Sequence, residues 1–164
     1  MPGPVCPNEG TPMRRAERPQ TLNYKGESII FNMPGWYCGR CGEGIHTGAD
    51  MKVSDRALNL LKARVEGLAE PEEIKRIRQK LHLSQTKAGC IIGGGPRAFQ
   101  KYESGDLLPS RAAVSALWLL ELNPAGLQVL EQRTQRAHSS GHVVFKRRRS
   151  KGKRSKSQEK ATSA

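Results

Sequence analysis

The stretch that decides the fold runs from Leu81-His82-Leu83-Ser84-Gln85-Thr86-Lys87-Ala88 to Phe99-Gln100-Lys101-Tyr102-Glu103-Ser104-Gly105. Ser84 carries a side-chain oxygen that caps a helix starting at Gln85. Gly93-Gly94-Gly95-Pro96 breaks that helix and opens another, which ends at Ser104-Gly105. Before Leu81, Ile74, Ile77 and Leu81 share one helical face. Downstream, Pro109-Ser110 opens a fourth helix through Ala113, Leu117 and Leu120, and Pro124 opens a short fifth with Leu127 and Leu130. Five helices with a sharp corner after the first predict a small all-α helix-turn-helix domain over residues 72–132. Phe99 and Tyr102 are expected in its core beside Ala88 and Ile91, and Cys90 reads as a buried thiol.

Moving toward the N-terminus, Glu70-Pro71 precedes a first turn containing Glu72 and Glu73. The segment 68–71, after Gly67, reads as a hinge. A helix from Asp55 to Glu66 is expected behind it, capped by Ser54, with Val53, Ala57, Leu58, Leu61 and Val65 on one face. Residues 1–50 are rich in Gly and Pro with short apolar runs such as Ile29-Ile30-Phe31, which suits small β structure. Residues 1–67 therefore form an α+β domain of hairpin and helix.

Charge and composition limit the partners. The chain of 164 residues carries 28 Lys+Arg against 15 Asp+Glu, a net charge of +13. Ten of those charges lie between Arg133 and Ala164, including Lys146-Arg147-Arg148-Arg149. That segment has no apolar period and is expected to be a disordered tail that adds salt-sensitive affinity for phosphates. With 36% hydrophobic and 5% aromatic residues and a mean hydropathy of −0.63, the core is modest and no apolar run reaches the length of a membrane span. The N-terminus lacks the apolar region of a secretory signal, so a cytoplasmic protein with reduced thiols is expected.

Reduced cysteines point to metal. Cys38-Gly39-Arg40-Cys41-Gly42 is a C-x-x-C knuckle, the turn that lets two thiolates hold one tetrahedral zinc ion. Cys6-Pro7-Asn8-Glu9-Gly10 looks like a second knuckle with Glu9 in place of its second cysteine. Cys6, Glu9, Cys38 and Cys41 are thus the expected ligands of a structural Zn²⁺, with His46 as the alternative to Glu9. Trp36 and Tyr37 are expected to pack the knuckle. No acid–base constellation accompanies the cysteines, Cys38 and Cys41 do not open a helix in a βαβ unit, and the glycine run lacks the Lys-Ser/Thr of a phosphate loop. An enzyme is not expected.

Two resemblances sharpen this reading. Leu-x-Leu-Ser-Gln-Thr at 81–86 and Phe-Gln-Lys-Tyr-Glu-x-Gly at 99–105 resemble the Cro/C1-type (Xre) helix-turn-helix family. That resemblance implies that Arg97, Gln100 and Lys101 face base edges in the major groove while Gln85 and Thr86 lie near phosphates. The order of parts, paired knuckles with Gly-Trp-Tyr-Cys at 35–38, a connecting helix, then a Cro/C1-type domain with Gly-Gly-Gly-x-x-Ala-Phe at 93–99, resembles the MqsA antitoxins. It implies an antitoxin whose zinc-binding N-terminal domain blocks an mRNA-cleaving toxin and whose C-terminal domain forms a homodimer that represses the operon at a double-stranded operator. Leu122, Leu127 and Leu130 are candidates for the dimer face. Glu9 stands where that family has a cysteine, and Arg97 where its familiar member has asparagine, so a different operator is expected. The alternative is a stand-alone Cro/C1-type regulator whose N-terminal domain senses metal or another ligand.

Overall fold

The computed structural model describes residues 3–139. Most of the expected basic tail, residues 140–164, lies outside them. The chain runs β1 (Arg14–Tyr24), β2 (Glu27–Tyr37), β3 (Gly44–Ile45), α1 (Gly48–Val65), α2 (Pro71–Lys80), α3 (Gln85–Ile92), α4 (Ala98–Glu103), α5 (Arg111–Leu122) and α6 (Gly126–Ser139). The strands form one antiparallel sheet in the order β1-β2-β3.

β1 and β2 make a hairpin in continuous register from Arg14 opposite Tyr37 to Tyr24 opposite Glu27. Lys25 and Gly26 link them with φ of 48° and 88°. Two positive φ values in a two-residue loop match the right-handed twist of the paired strands. Pro19 and Pro34 lie within the strands without breaking them. β1 is an edge, and β3 pairs only with Trp36 and Tyr37, so neither proline has to donate to a neighbouring strand.

α1 starts seven residues before the expected Asp55. Thr47 is its N-cap: its hydroxyl accepts from the Asp50 amide at 3.4 Å, and the Asp50 carboxylate accepts from the Thr47 amide at 2.8 Å. This reciprocal box satisfies amides that a start at Ser54 would leave to water. Asp50 is buried, and Arg15 of β1 donates to both of its oxygens, which ties hairpin to helix.

The helical domain follows the expected order. Ser84 and Ser110 each accept from the amide three residues on, at 3.2 Å. Ile74, Ile77, Ala88, Phe99, Tyr102, Val114 and Leu117 form the main core. Burying a side chain such as Phe99 contributes about 1.5–3 kcal/mol. Ala63, Leu68 and Ala69 belong to the same core, so the segment read as a hinge is packed rather than open. Asn59 donates to the Gly105 carbonyl at 2.9 Å and Arg111 to the Glu66 carbonyl at 2.6 Å, fastening α1 to the helices. α6 is neither short nor finished at 132; it carries residues 133–139 of the expected tail in its last turns.

Candidate metal centre and nucleic-acid interface

Both knuckles are built by the same backbone pattern. The Cys6 amide donates to the Thr11 carbonyl at 2.8 Å, and the Gly10 amide to the Cys6 carbonyl at 2.9 Å. The Cys38 amide donates to the Glu43 carbonyl at 2.9 Å, and the Gly42 amide to the Cys38 carbonyl at 3.2 Å. Each turn closes on a glycine of positive φ, 63° at Gly10 and 79° at Gly42. The turns bring Cys6, Cys38 and Cys41 together, with all three Sγ atoms within 4.8 Å of one another and Cys6 to Cys41 at 3.5 Å. Thiolates at about 2.3 Å from a tetrahedral metal stand about 3.8 Å apart, so the donor set fits a soft divalent ion. Cys6 and Cys38 are buried with Met13 under Trp36 and Ile45, while Cys41 is exposed.

The local field favours a thiolate. Cys38 is lowered to about 6 by the Cys41 amide first, then the Thr11 hydroxyl and the Arg40 amide. Its sulfur lies 3.5 Å from Thr11 Oγ1 and 3.4 Å from the Arg40 nitrogen. Hydrogen bonds to the charged form explain the direction. At Cys41 the Glu43 amide pulls downward, but partial desolvation and the neighbouring Cys6 and Cys38 thiols raise it overall. Two sulfurs this close resist carrying charge together until a cation joins them.

The expected fourth ligand does not arrive. Glu9 is exposed, and among the described residues no histidine, aspartate or glutamate brings a donor atom into the three-cysteine cluster. The side chain reaches beyond the point where a cysteine would end. His46 is engaged elsewhere: its Nδ1 lies 2.9 Å from the Pro34 carbonyl, and its ring meets Tyr37 edge-on.

The second candidate site is the corner made by α3 and α4. Phe99 and Tyr102 are buried, so Arg97, Gln100 and Lys101 are left exposed on the opposite side. Thr86 is exposed at the start of α3. Gln85 is half-buried, and its amide donates to Glu103 at 2.8 Å, so the side chain expected near phosphates supports the corner from within. Lys75, Gln85, Gln100, Glu103 and Ser104 line a shallow cleft of about 370 Å³.

Sequence spacing gave no sign of what holds this corner. Arg78 of α2 donates to Glu103 at 2.5 and 3.0 Å and to the Leu83 carbonyl at 2.7 Å, which joins α2, the turn before α3, and α4. The Arg78 and Glu103 side chains are 13% and 6% exposed. Gly89 also matters here: a Cβ on it would meet the Gly95 carbonyl oxygen at 2.1 Å, so α3 and the glycine turn touch backbone to backbone. Cys90 is exposed rather than buried. Ala88 and Gly89 take the inward face of α3, and the next residue is rotated by roughly 100°. On α5, Leu119 and Leu122 are 66% and 84% exposed, whereas Leu127 and Leu130 are partly buried against the helical core.

Comparison with known proteins bears on both sites. The family described as the antitoxin component of bacterial toxin-antitoxin system, MqsA, matches residues 1–132. The antitoxin MqsA of Escherichia coli (strain K12) is 30% identical over 99 residues, which cover 60% of this chain and 76% of that protein. Among the described residues no helix is long and apolar enough to cross a membrane.

Proposed function

This chain belongs to the MqsA family of bacterial antitoxins, and from that premise we propose that it neutralises a cognate toxin through residues 1–67 and represses its own operon as a DNA-binding homodimer through its helices. One family match runs through both the knuckle domain and the helix-turn-helix domain, and that observation carries the reading. MqsA antitoxins are regulatory proteins rather than enzymes. The toxin is of the mRNA-cleaving class.

The geometry supports a division of labour. Arg97 suits the O6 and N7 acceptors of guanine, and Gln100 and Lys101 extend the reading surface along α4. Thr86 at the start of α3 positions the domain on phosphates without reading sequence. Leu122, with Leu119 beside it, offers the apolar surface through which two copies would set their α4 helices about one DNA turn apart. The basic residues after Arg133 add affinity that falls steeply with salt. At the other end, Cys6, Cys38 and Cys41 would hold zinc, which when bound supplies a cross-link between two knuckles that share little apolar core.

A growth-rescue assay tests the reading. The small open reading frame beside this gene is expressed alone, then with the full chain, then with the full chain carrying Arg97→Ala. The neighbour is expected to arrest growth, and both forms of the chain to restore it, since neutralisation does not need DNA contact. A harmless neighbour, or failure of the full chain to rescue, would favour a stand-alone regulator that senses metal or another ligand.

A further inference from the structure

The two knuckles match in backbone and differ in donors. Glu9 occupies the place in its turn that Cys41 occupies in the other, three residues after the leading cysteine and just before the glycine of positive φ. A cysteine there would end at its γ atom. The oxygens of Glu9 lie two bonds further out, and the side chain is exposed. The converging donors are three sulfurs, and His46, the other residue near enough in sequence, is held at Pro34.

Resting on the reading of this cluster as a metal centre, we propose that it is a three-thiolate site whose fourth coordination position opens to solvent beside Cys41 and takes a small thiolate from outside the chain. Cys6 and Cys38 are 1% and 0% exposed, so the open side is the one that Cys41 faces. Structural zinc sites are closed by four protein ligands; a site with three keeps a place that exchanges. Thiolates are soft donors that match the other three. Charge of both signs flanks the opening: Arg40 is exposed within the knuckle, and the Arg18 guanidinium donates to the Gly42 carbonyl at 3.1 Å and lies 4.4 Å over the Tyr37 ring, while Glu9 and Glu43 are exposed in the same two turns. The carboxylates offset the cations, so the choice of a thiolate over water rests on the softness of the donor. The centre then couples the N-terminal domain to the surrounding pool of small thiols, with Glu9 as the residue that leaves the place open.

The test uses metal-free full chain loaded with cobalt(II), read through sulfur-to-cobalt charge-transfer absorbance in wild type, Glu9→Gln and Glu9→Cys. Wild type and Glu9→Gln are expected to give the same three-thiolate spectrum, and Glu9→Cys the spectrum of four. Adding 2-mercaptoethanol should raise the charge-transfer intensity of the first two by about one third and leave Glu9→Cys unchanged, since the intensity follows the number of bound thiolates. A Glu9→Gln spectrum that departs from wild type would make Glu9 the fourth ligand and overturn the proposal. Loss of the cobalt bands, or no response to 2-mercaptoethanol in wild type, would also overturn it. If wild type takes up no cobalt at all, the metal-centre reading fails instead.

Discussion

Removing the Arg78–Glu103 pair, one partner at a time and then together, separates a support of the recognition corner from a decoration of it. With side chains 13% and 6% exposed, the pair is poorly reached by water. Arg78→Met strands the Glu103 carboxylate with only the Gln85 amide at 2.8 Å, and it also removes the donor from the Leu83 carbonyl. Breaking a buried pair in this way costs about 3–5 kcal/mol. Glu103→Leu strands the guanidinium and costs a similar amount. The double variant strands no charge, and what remains is mainly the undonated Leu83 carbonyl, worth about 1–3 kcal/mol. Independent losses would sum to about 6–10 kcal/mol, so a coupling of at least about 3 kcal/mol is expected. Domains of this kind have only about 5–15 kcal/mol in all. Urea unfolding of the full chain at neutral pH gives all four corners of the cycle. A single variant that loses less than about 1 kcal/mol, or a double variant that loses the sum of the singles, would refute the reasoning.

Other expectations are smaller in scale. Thr47→Ala should lower stability by about 1–2 kcal/mol because it opens the cap of α1, whereas Ser54→Ala should stay within about 0.5 kcal/mol in the same thermal melts. Acid should weaken the fold with a traceable origin: Glu121 is lowered from 4.5 to about 2 by Arg76 first and then Lys80. A depressed carboxylate stabilises the native state above its unfolded value and loses that contribution as pH falls through the folded one. Glu121→Gln should therefore flatten the stability profile between about pH 4.5 and about pH 2. Arg97→Ala should cost about 1–3 kcal/mol of affinity for the operator and relax preference at one base pair; equal loss on random DNA would make Arg97 a phosphate contact.

The helical half was legible because its signals are local. Ser84 and Ser110 cap the helices they precede, Pro71 opens α2, and the periodic Ile74, Ile77 and Leu81 are all buried. The hairpin was only partly so. β1 is mostly exposed, and although burial alternates along β2, the exposed Ile30 between Ile29 and Phe31 hides that alternation in the sequence, so the apolar run at 29–31 marks only part of one strand of a hairpin that reaches Tyr37. Thr47-Gly48-Ala49-Asp50 did carry a capping-box signature, but the apolar face beyond Val53 drew the start to Ser54. Three of the four metal candidates converge because knuckle turns are themselves local. Arg78 and Glu103 stand 25 residues apart, and Arg15 and Asp50 stand 35 apart; only the folded chain brings such partners together.

Ala63, Leu68 and Ala69 sit in the same interior as Ile74, Phe99 and Val114. The last turn of α1 and the connection behind it are thus a floor for the helices that begin at Pro71. Inheritance follows from this arrangement. If relatives exchange N-terminal halves, a crossover at Pro71 would join a foreign floor to a resident core, and small residues such as Ala63 and Ala69 leave little room for mismatch. The exchangeable piece should end ahead of Ala63, inside α1, so that a new hairpin and knuckles arrive while the helices keep the residues they were packed on.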